Sequence, residues 1–288
     1  MKLSVILPCF NGAKTITNQL EALTKQQWSG SWEVVVSNNG STDESMTIVE
    51  RYRDRLPGLR VVNAYTPPGP RLGVVHSYNV GIKAAAGDAC VFCEADDEVA
   101  PGWLAAMGEA LSKYDFVAGS LEYRKLNEAW LIKDDQEMRQ EKGLLTYEYY
   151  PHLPYASGCN LGFKRSTYET AGELDESISC AWDVEYCCRV QLAGIKLHFV
   201  PDAVTHCRLR HTLGGMYRQG RNWGKDYILL RNKYESLSKS ITLKQLAGVG
   251  LHLSKVFLRI SDKADFAGWF WELGWKVGQV QGCVEYLH

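Results

Sequence analysis

The densest chemistry in the chain lies in residues 91–99, "VFCEADDEV", where an apolar run leads directly into Glu94, Asp96 and Asp97. Carboxylates packed this closely at the end of a strand repel one another. A divalent cation relieves the repulsion, and hard oxygen ligands suit Mg²⁺ or Mn²⁺. Such an ion in turn neutralises a diphosphate and stabilises the charge that develops on a departing nucleoside diphosphate. The bland alternative is a solvated acidic turn, the usual fate of a charge run. Two amide-bearing turns, Asn11-Gly12 and Asn38-Asn39-Gly40, are the other polar punctuation of the first hundred residues. Cys90 and Cys93 are spaced like a metal or redox pair. Residues three apart on a strand face opposite sides, however, so they read as buried core.

Elements that would position these groups follow from the hydrophobic pattern. Strand-like runs at residues 3–7, 32–36, 59–62, 89–93 and 115–118 alternate with helical patterns at 13–27, from about 42, at 74–86 and from Pro101 to about 113. Ser41 and Glu44 have the spacing of a capping box. Gly87 stands where a helix should end. Residues 65–73, with three prolines and two glycines, must be a loop. Alternation of this kind implies an α/β fold, a mainly parallel sheet with helices on both faces. In such sheets ligands bind beyond the carboxyl ends of the strands. Each polar cluster directly follows a strand, so they should converge on one rim. Further on, 158–164 reads as a strand, 182–193 as a helix and 195–200 as a strand ending at Pro201; helical patterns fill the chain from 213.

Several segments in order resemble the family 2 glycosyltransferases of the GT-A fold. They are "SVILPCFN", "EVVVSNNGSTDES", "SYNVGIKAAAGDACVFCEADD", "GCNLGFKRSTYETAGELDE" and "AWDVEYCCRVQLAG", together about residues 2–202. The resemblance implies an inverting transferase that uses a nucleotide-sugar donor. Asp96 falls on the second acid of the Asp-x-Asp pair, the metal ligand at the donor diphosphate. Glu94 falls on the first, beside the donor's ribose or sugar. Asp183 falls on the general base that takes the proton of the acceptor hydroxyl; the plain alternative is a carboxylate favoured by the dipole at a helix start. Pro8, Asn11, Asn38, Asn39, Arg71, Asn79 and Ala95 complete the implied nucleotide-sugar site. His206 falls where a late histidine completes the metal shell in some GT-A enzymes. Asp97, Trp182, Arg208 and Arg210 are candidates for contacting donor or acceptor, the arginines through the diphosphate and Trp182 as a platform for sugar C–H surfaces.

Three positions depart from the common pattern. Glu94 stands in place of an Asp, one methylene longer. Asn38-Asn39 replaces an acidic pair that often reads the N–H of a uracil-type base; an amide oxygen can still accept that bond, and the amide NH₂ can donate to a different base. Tyr78 stands where an Arg is frequent, which leaves Arg71 as a replacement cation. These changes bear on donor choice and keep open a catalytically silent sugar-nucleotide or carbohydrate-binding protein. A sugar-phosphate nucleotidyltransferase is a further alternative, but "PCFNGAKTI" lacks the glycine-rich basic loop it would need.

Composition sets the outer limits. The 288 residues are 45% hydrophobic and 23% charged, enough to bury a sizeable core. The net charge of −1, from 32 basic and 33 acidic side chains, argues against a nucleic-acid partner. Neither a leader-like segment nor an apolar run of about 18 residues is present. Nine cysteines without framework spacing fit a reducing cytosol. Residues 1–212 should therefore form the GT-A domain, with its nucleotide-sugar half at about 1–120 and its acceptor half at 121–212; residues 213–288 should form a helical C-terminal extension. In that tail Gly274, Gly278 and Gly282 recur every four residues beside Trp271 and Trp275. Such a face suits close packing on the preceding helix at about 241–260, a homodimer contact, or peripheral attachment to the inner face of a membrane, where a lipid-linked acceptor would be at hand. The acceptor pocket is expected between Asp183, the 122–150 excursion and this tail.

Overall fold

The computed structural model describes residues 1–132, 140–149, 151–235 and 243–286, with side chains from 248 onward in the last segment. Part of the 122–150 excursion and the start of the expected 241–260 helix lie outside the described residues. The main sheet has eight strands. On one side β1 (Leu3–Cys9), β2 (Trp32–Asn38), β3 (Arg60–Asn63) and β4 (Ala89–Phe92) run parallel in the order β3-β2-β1-β4. The sheet continues beyond β4 through β9 (Leu161–Lys164), β6 (Phe116–Glu122), β10 (Leu197–His206) and the two-residue β5 (Glu98–Val99). β9 is antiparallel to both its neighbours and β5 is antiparallel to β10, so the sheet is mixed but mainly parallel. A separate hairpin joins β7 (Leu145–Thr146) to β8 (Pro154–Tyr155).

Helices cover both faces, which is why the central strands are continuously apolar instead of alternating. Leu3, Val5 and Leu7 pack under α1 (Ile16–Thr24), α2 (Ser45–Glu50) and α4 (Trp103–Lys113). Ile6, Val35 and Phe92 pack on the other face, under α3 (Val74–Ala84) and α6 (Trp182–Leu192). Cys90 and Cys93 fall into opposite cores, as strand alternation requires. A short helix, α5 (Arg165–Ala171), follows β9 directly.

Several boundaries differ from the sequence reading. No capping box forms at Ser41: α2 starts at Ser45, and Asp43 Oδ1 accepts the Ser45 amide at 3.0 Å. The Ser41 hydroxyl is instead taken by the amide of Asn11, at 3.1 Å. α3 ends at Ala84, ahead of Gly87, which is placed where any Cβ would collide with Ser4 and the Lys2 carbonyl. Pro201 does not end its strand. β10 runs on to His206 through a register shift between Val200 and Val204, the kind of bulge that tolerates a residue with no N–H.

The C-terminal region consists of α7 (Leu213–Glu235), α8 (Leu243–Phe257) and α9 (Lys263–Tyr286). The glycine face of α9 packs on α7, not on the helix immediately before it. A side chain at Gly274 or Gly278 would overlap the backbone of Tyr217 or Arg221, and one at Gly220 or Gly224 of α7 would overlap the backbone of Trp271 or Trp275. Glycines on both helices make this close approach possible, which sequence spacing on one helix does not reveal. Among the described residues no helix is long and apolar enough to cross a membrane.

Candidate nucleotide-sugar site

A cleft of about 550 Å³ opens at the carboxyl ends of β1, β2 and β4. Its wall includes Pro8, Asn11, Asn39, Arg71, Glu94, Ala95, Asp96 and Arg210, so the clusters that the sequence left far apart do share one rim. The first two loops are bolted together. Asn11, with φ of 49°, accepts the Thr42 amide on Oδ1 at 2.8 Å while its own amide goes to Ser41. Asn39 is buried, and its Nδ2 donates to the Leu72 carbonyl at 2.7 Å. Its Oδ1 has no partner. A buried acceptor left unpaired costs about 1–3 kcal/mol. Arg71 lies over the Phe10 ring, 3.3 Å from its centre.

The acidic end of the cleft is short of positive charge. Burial first, then the charges of Asp96 and Asp97, push the Glu94 carboxyl well above its ordinary range; Arg210 opposes the shift. Arg210 reaches Asp96 at 3.3 Å. Glu94 and Asp96 share this end of the wall with Arg210, and Asp96, half-buried there, could help hold a divalent cation. Tyr78 is fully buried, stacked on Phe92 at 4.3 Å, with its hydroxyl 3.4 Å from Glu94.

Asp183, in the first turn of α6, is not among the residues that line this cleft. The residue is 7% exposed, and its carboxylate accepts the amides of Gly158 at 2.9 Å and Val184 at 2.8 Å. Burial raises its pKa to about 6, the two amide bonds holding the shift down. Its charge is felt at Glu94, so the two carboxylates belong to one electrostatic region. Gly158 is obligatory there, since a Cβ would enter the Trp182 ring. The turn before α6 is tied to the C-terminal helices through Asp226 of α7, whose Oδ2 accepts the Cys180 amide at 2.6 Å and the Ala181 amide at 3.3 Å.

Other nominated residues serve the scaffold. Asn38 Oδ1 closes its own turn by accepting the Ser41 amide at 2.9 Å. Asn79 is a buried latch, giving and taking hydrogen bonds with the backbone of Leu174. Trp182 is 5% exposed and packs on Tyr78, so it offers no open platform to a sugar. Arg208 spends its guanidinium on the carbonyls of Asp96 and Leu126. Asp97 turns away from the cleft and accepts the Arg208 amide at 2.7 Å. His206 is not on the cleft wall: its Nδ1 pairs at 2.7 Å with Glu122, its register partner on β6. Sequence reasoning misses Ser77, whose buried, unpartnered hydroxyl lines the cleft, and Asp226, whose role depends on a distant helix. Nothing local in the sequence marks either one.

This architecture, with its acid-rimmed cleft at the strand ends, defines a GT-A-type nucleotide-sugar fold. A family model described as "Glycosyl transferase family 2" matches residues 4–172, and the chain belongs to that family. Among curated proteins it is 31% identical over 139 residues to the uncharacterized glycosyltransferase YibD of Escherichia coli. It is 40% identical over 100 residues to the poly(ribitol-phosphate) beta-N-acetylglucosaminyltransferase TarS of Staphylococcus aureus. The matches take in 48% and 34% of this chain but only 37% and 17% of those proteins. Among solved structures, the mannosyltransferase PcManGT of Pyrobaculum calidifontis, in complex with GDP-Man and Mn²⁺, superimposes with a TM-score of 0.61 at 18% identity, over 98% of this chain and 73% of that one. S. aureus TarS 1-349 in complex with UDP-GlcNAc gives 0.54 at 19%, over 97% and 90%. At these identities the structural likeness speaks for the fold.

Proposed function

We propose that the chain transfers a sugar from a nucleoside-diphosphate sugar to an acceptor hydroxyl with inversion at the anomeric carbon. The observation that carries this reading is the cleft itself. It sets an unpartnered buried acceptor (Asn39 Oδ1), an under-neutralised acid pair (Glu94 and Asp96) and a cation (Arg210) around one space, with Asp183 electrostatically linked to it. Asn39 Oδ1 accepts an N–H of the base, and Arg71 on Phe10 borders the nucleotide. Arg210 faces the diphosphate. Mn²⁺ or Mg²⁺ would be held by Asp96 with Glu94 beside it, and would supply Lewis-acid stabilisation of the diphosphate's charge. Asp183, ionised above about pH 6, takes the acceptor's proton as its oxygen attacks. Its two amide bonds keep the carboxylate oriented and favour the charged, basic form.

The test is calorimetric titration of the full chain with a panel of nucleoside diphosphates, with and without Mn²⁺. One nucleotide should bind preferentially, and its Mn²⁺ dependence should vanish in Asp96→Asn. Equal affinity of that variant and the wild type in both conditions overturns the metal assignment. NMR of the product's anomeric proton then decides inversion against retention.

A further inference from the structure

Behind the cleft, on the side of the acidic loop that Asp96 does not use, three potential metal ligands meet. Asp97 follows β4, Cys159 sits in the single helical turn that leads into β9, and Cys207 immediately follows β10. One carboxylate oxygen and the two sulfurs all lie within 4.8 Å of one another. Asp97 is 3% exposed, and one of its oxygens is occupied by the Arg208 amide. Its other oxygen, Oδ2, is buried and finds no partner beyond the two cysteine thiols themselves. A carboxylate oxygen held without a partner in a protein interior is costly unless a cation or proton meets it. Cys207 is the least buried of the three residues.

From this geometry we propose that Asp97, Cys159 and Cys207 form a second metal site, specific for a thiophilic divalent ion of the Zn²⁺ class and distinct from the donor-metal position at Asp96. The donor sets separate the two. Asp96 and Glu94 offer only hard oxygens, suited to Mn²⁺ or Mg²⁺, whereas two thiolates and a carboxylate suit Zn²⁺. Binding would convert both thiols to thiolates and release their protons. No redox partner is needed. The site draws together the ends of β4, β9 and β10, elements that otherwise meet here through Asp97, Asn160 and the β10 bulge. Its role is to brace the acidic loop from behind, leaving Asp96 free to face the donor. The assignment does not depend on the transfer reaction.

Co²⁺ is the probe, because thiolate ligands give it a charge-transfer band that oxygen ligands do not. Metal-free full-length protein titrated with Co²⁺ should develop this band at one equivalent. Zn²⁺ should abolish the band and raise the Tm. The band should persist in Asp96→Asn and be lost in Cys207→Ser and in Cys159→Ser. In case the serine variants do not fold, alkylation of the wild type followed by mass spectrometry gives an independent reading: Zn²⁺ should protect Cys159 and Cys207 selectively among the nine cysteines. Absence of the band, its survival in Cys207→Ser, or Zn²⁺ protection that falls on other cysteines overturns the assignment.

Discussion

Replacing Asp183 with asparagine tests the buried base through stability as well as rate. In the folded protein the carboxyl titrates near 6, against an ordinary value of 3.8, because ionising it means charging a group that is only 7% exposed. The folded state therefore holds a proton that the unfolded chain has already released. Stability falls as pH rises between these two values and is level above about 6. The shift corresponds to about 3 kcal/mol, of which roughly 2 kcal/mol falls between about pH 4.5 and about pH 7.5. The Asp183→Asn variant has no such titration. It also turns an NH₂ toward one of two amide donors, Gly158 or Val184, at a pH-independent cost of about 1–3 kcal/mol. Urea denaturation of both proteins across this range, plotted as their difference, cancels every other titrating group. The difference should move by about 2 kcal/mol in favour of the Asp183→Asn variant as pH rises. Turnover should fall by about 10²–10⁴-fold. A flat difference plot would mean that Asp183 is not desolvated as described, and wild-type turnover would remove it as the base.

Three other perturbations probe separate parts of the structure. Gly158→Ala drives a methyl into Trp182 and displaces the amide that holds Asp183 ionised, so the acid limb of the rate profile should move above pH 6; an unmoved limb with intact folding contradicts that role. Asn39→Ala removes the unpartnered acceptor in the cleft and should weaken the preferred nucleoside diphosphate about tenfold by calorimetry, the worth of one good hydrogen bond. Gly278→Ala forces α9 off the backbone of Arg221 and should cost about 1–3 kcal/mol in denaturant unfolding; unchanged stability would mean that the two helices are not in close contact.

Much of the frame is legible in the sequence because hydrophobic periodicity and turn residues act locally. The α/β alternation and the polar strand ends at 11, 39 and 94–96 can be read directly, and a parallel sheet then has to bring those ends to one edge. The buried Cys90 and Cys93 are legible for the same reason, since strand alternation is fixed by the backbone. What tertiary structure alone decides is which side chains within each cluster line the cleft. Asn38 and Asn39 are adjacent and chemically alike, yet one closes a turn and the other lines the cleft. Asp96 and Asp97 part in the same way, one onto the cleft wall and one toward two cysteines more than sixty residues away. The family resemblance nominates His206 as a metal ligand, but its register against Glu122 keeps it off the cleft wall. The glycine stripe of α9 announces a close neighbour without naming it. Glycines on α7 choose it, because helix approach is limited by the bulk of both surfaces, and only the folded chain brings the two together.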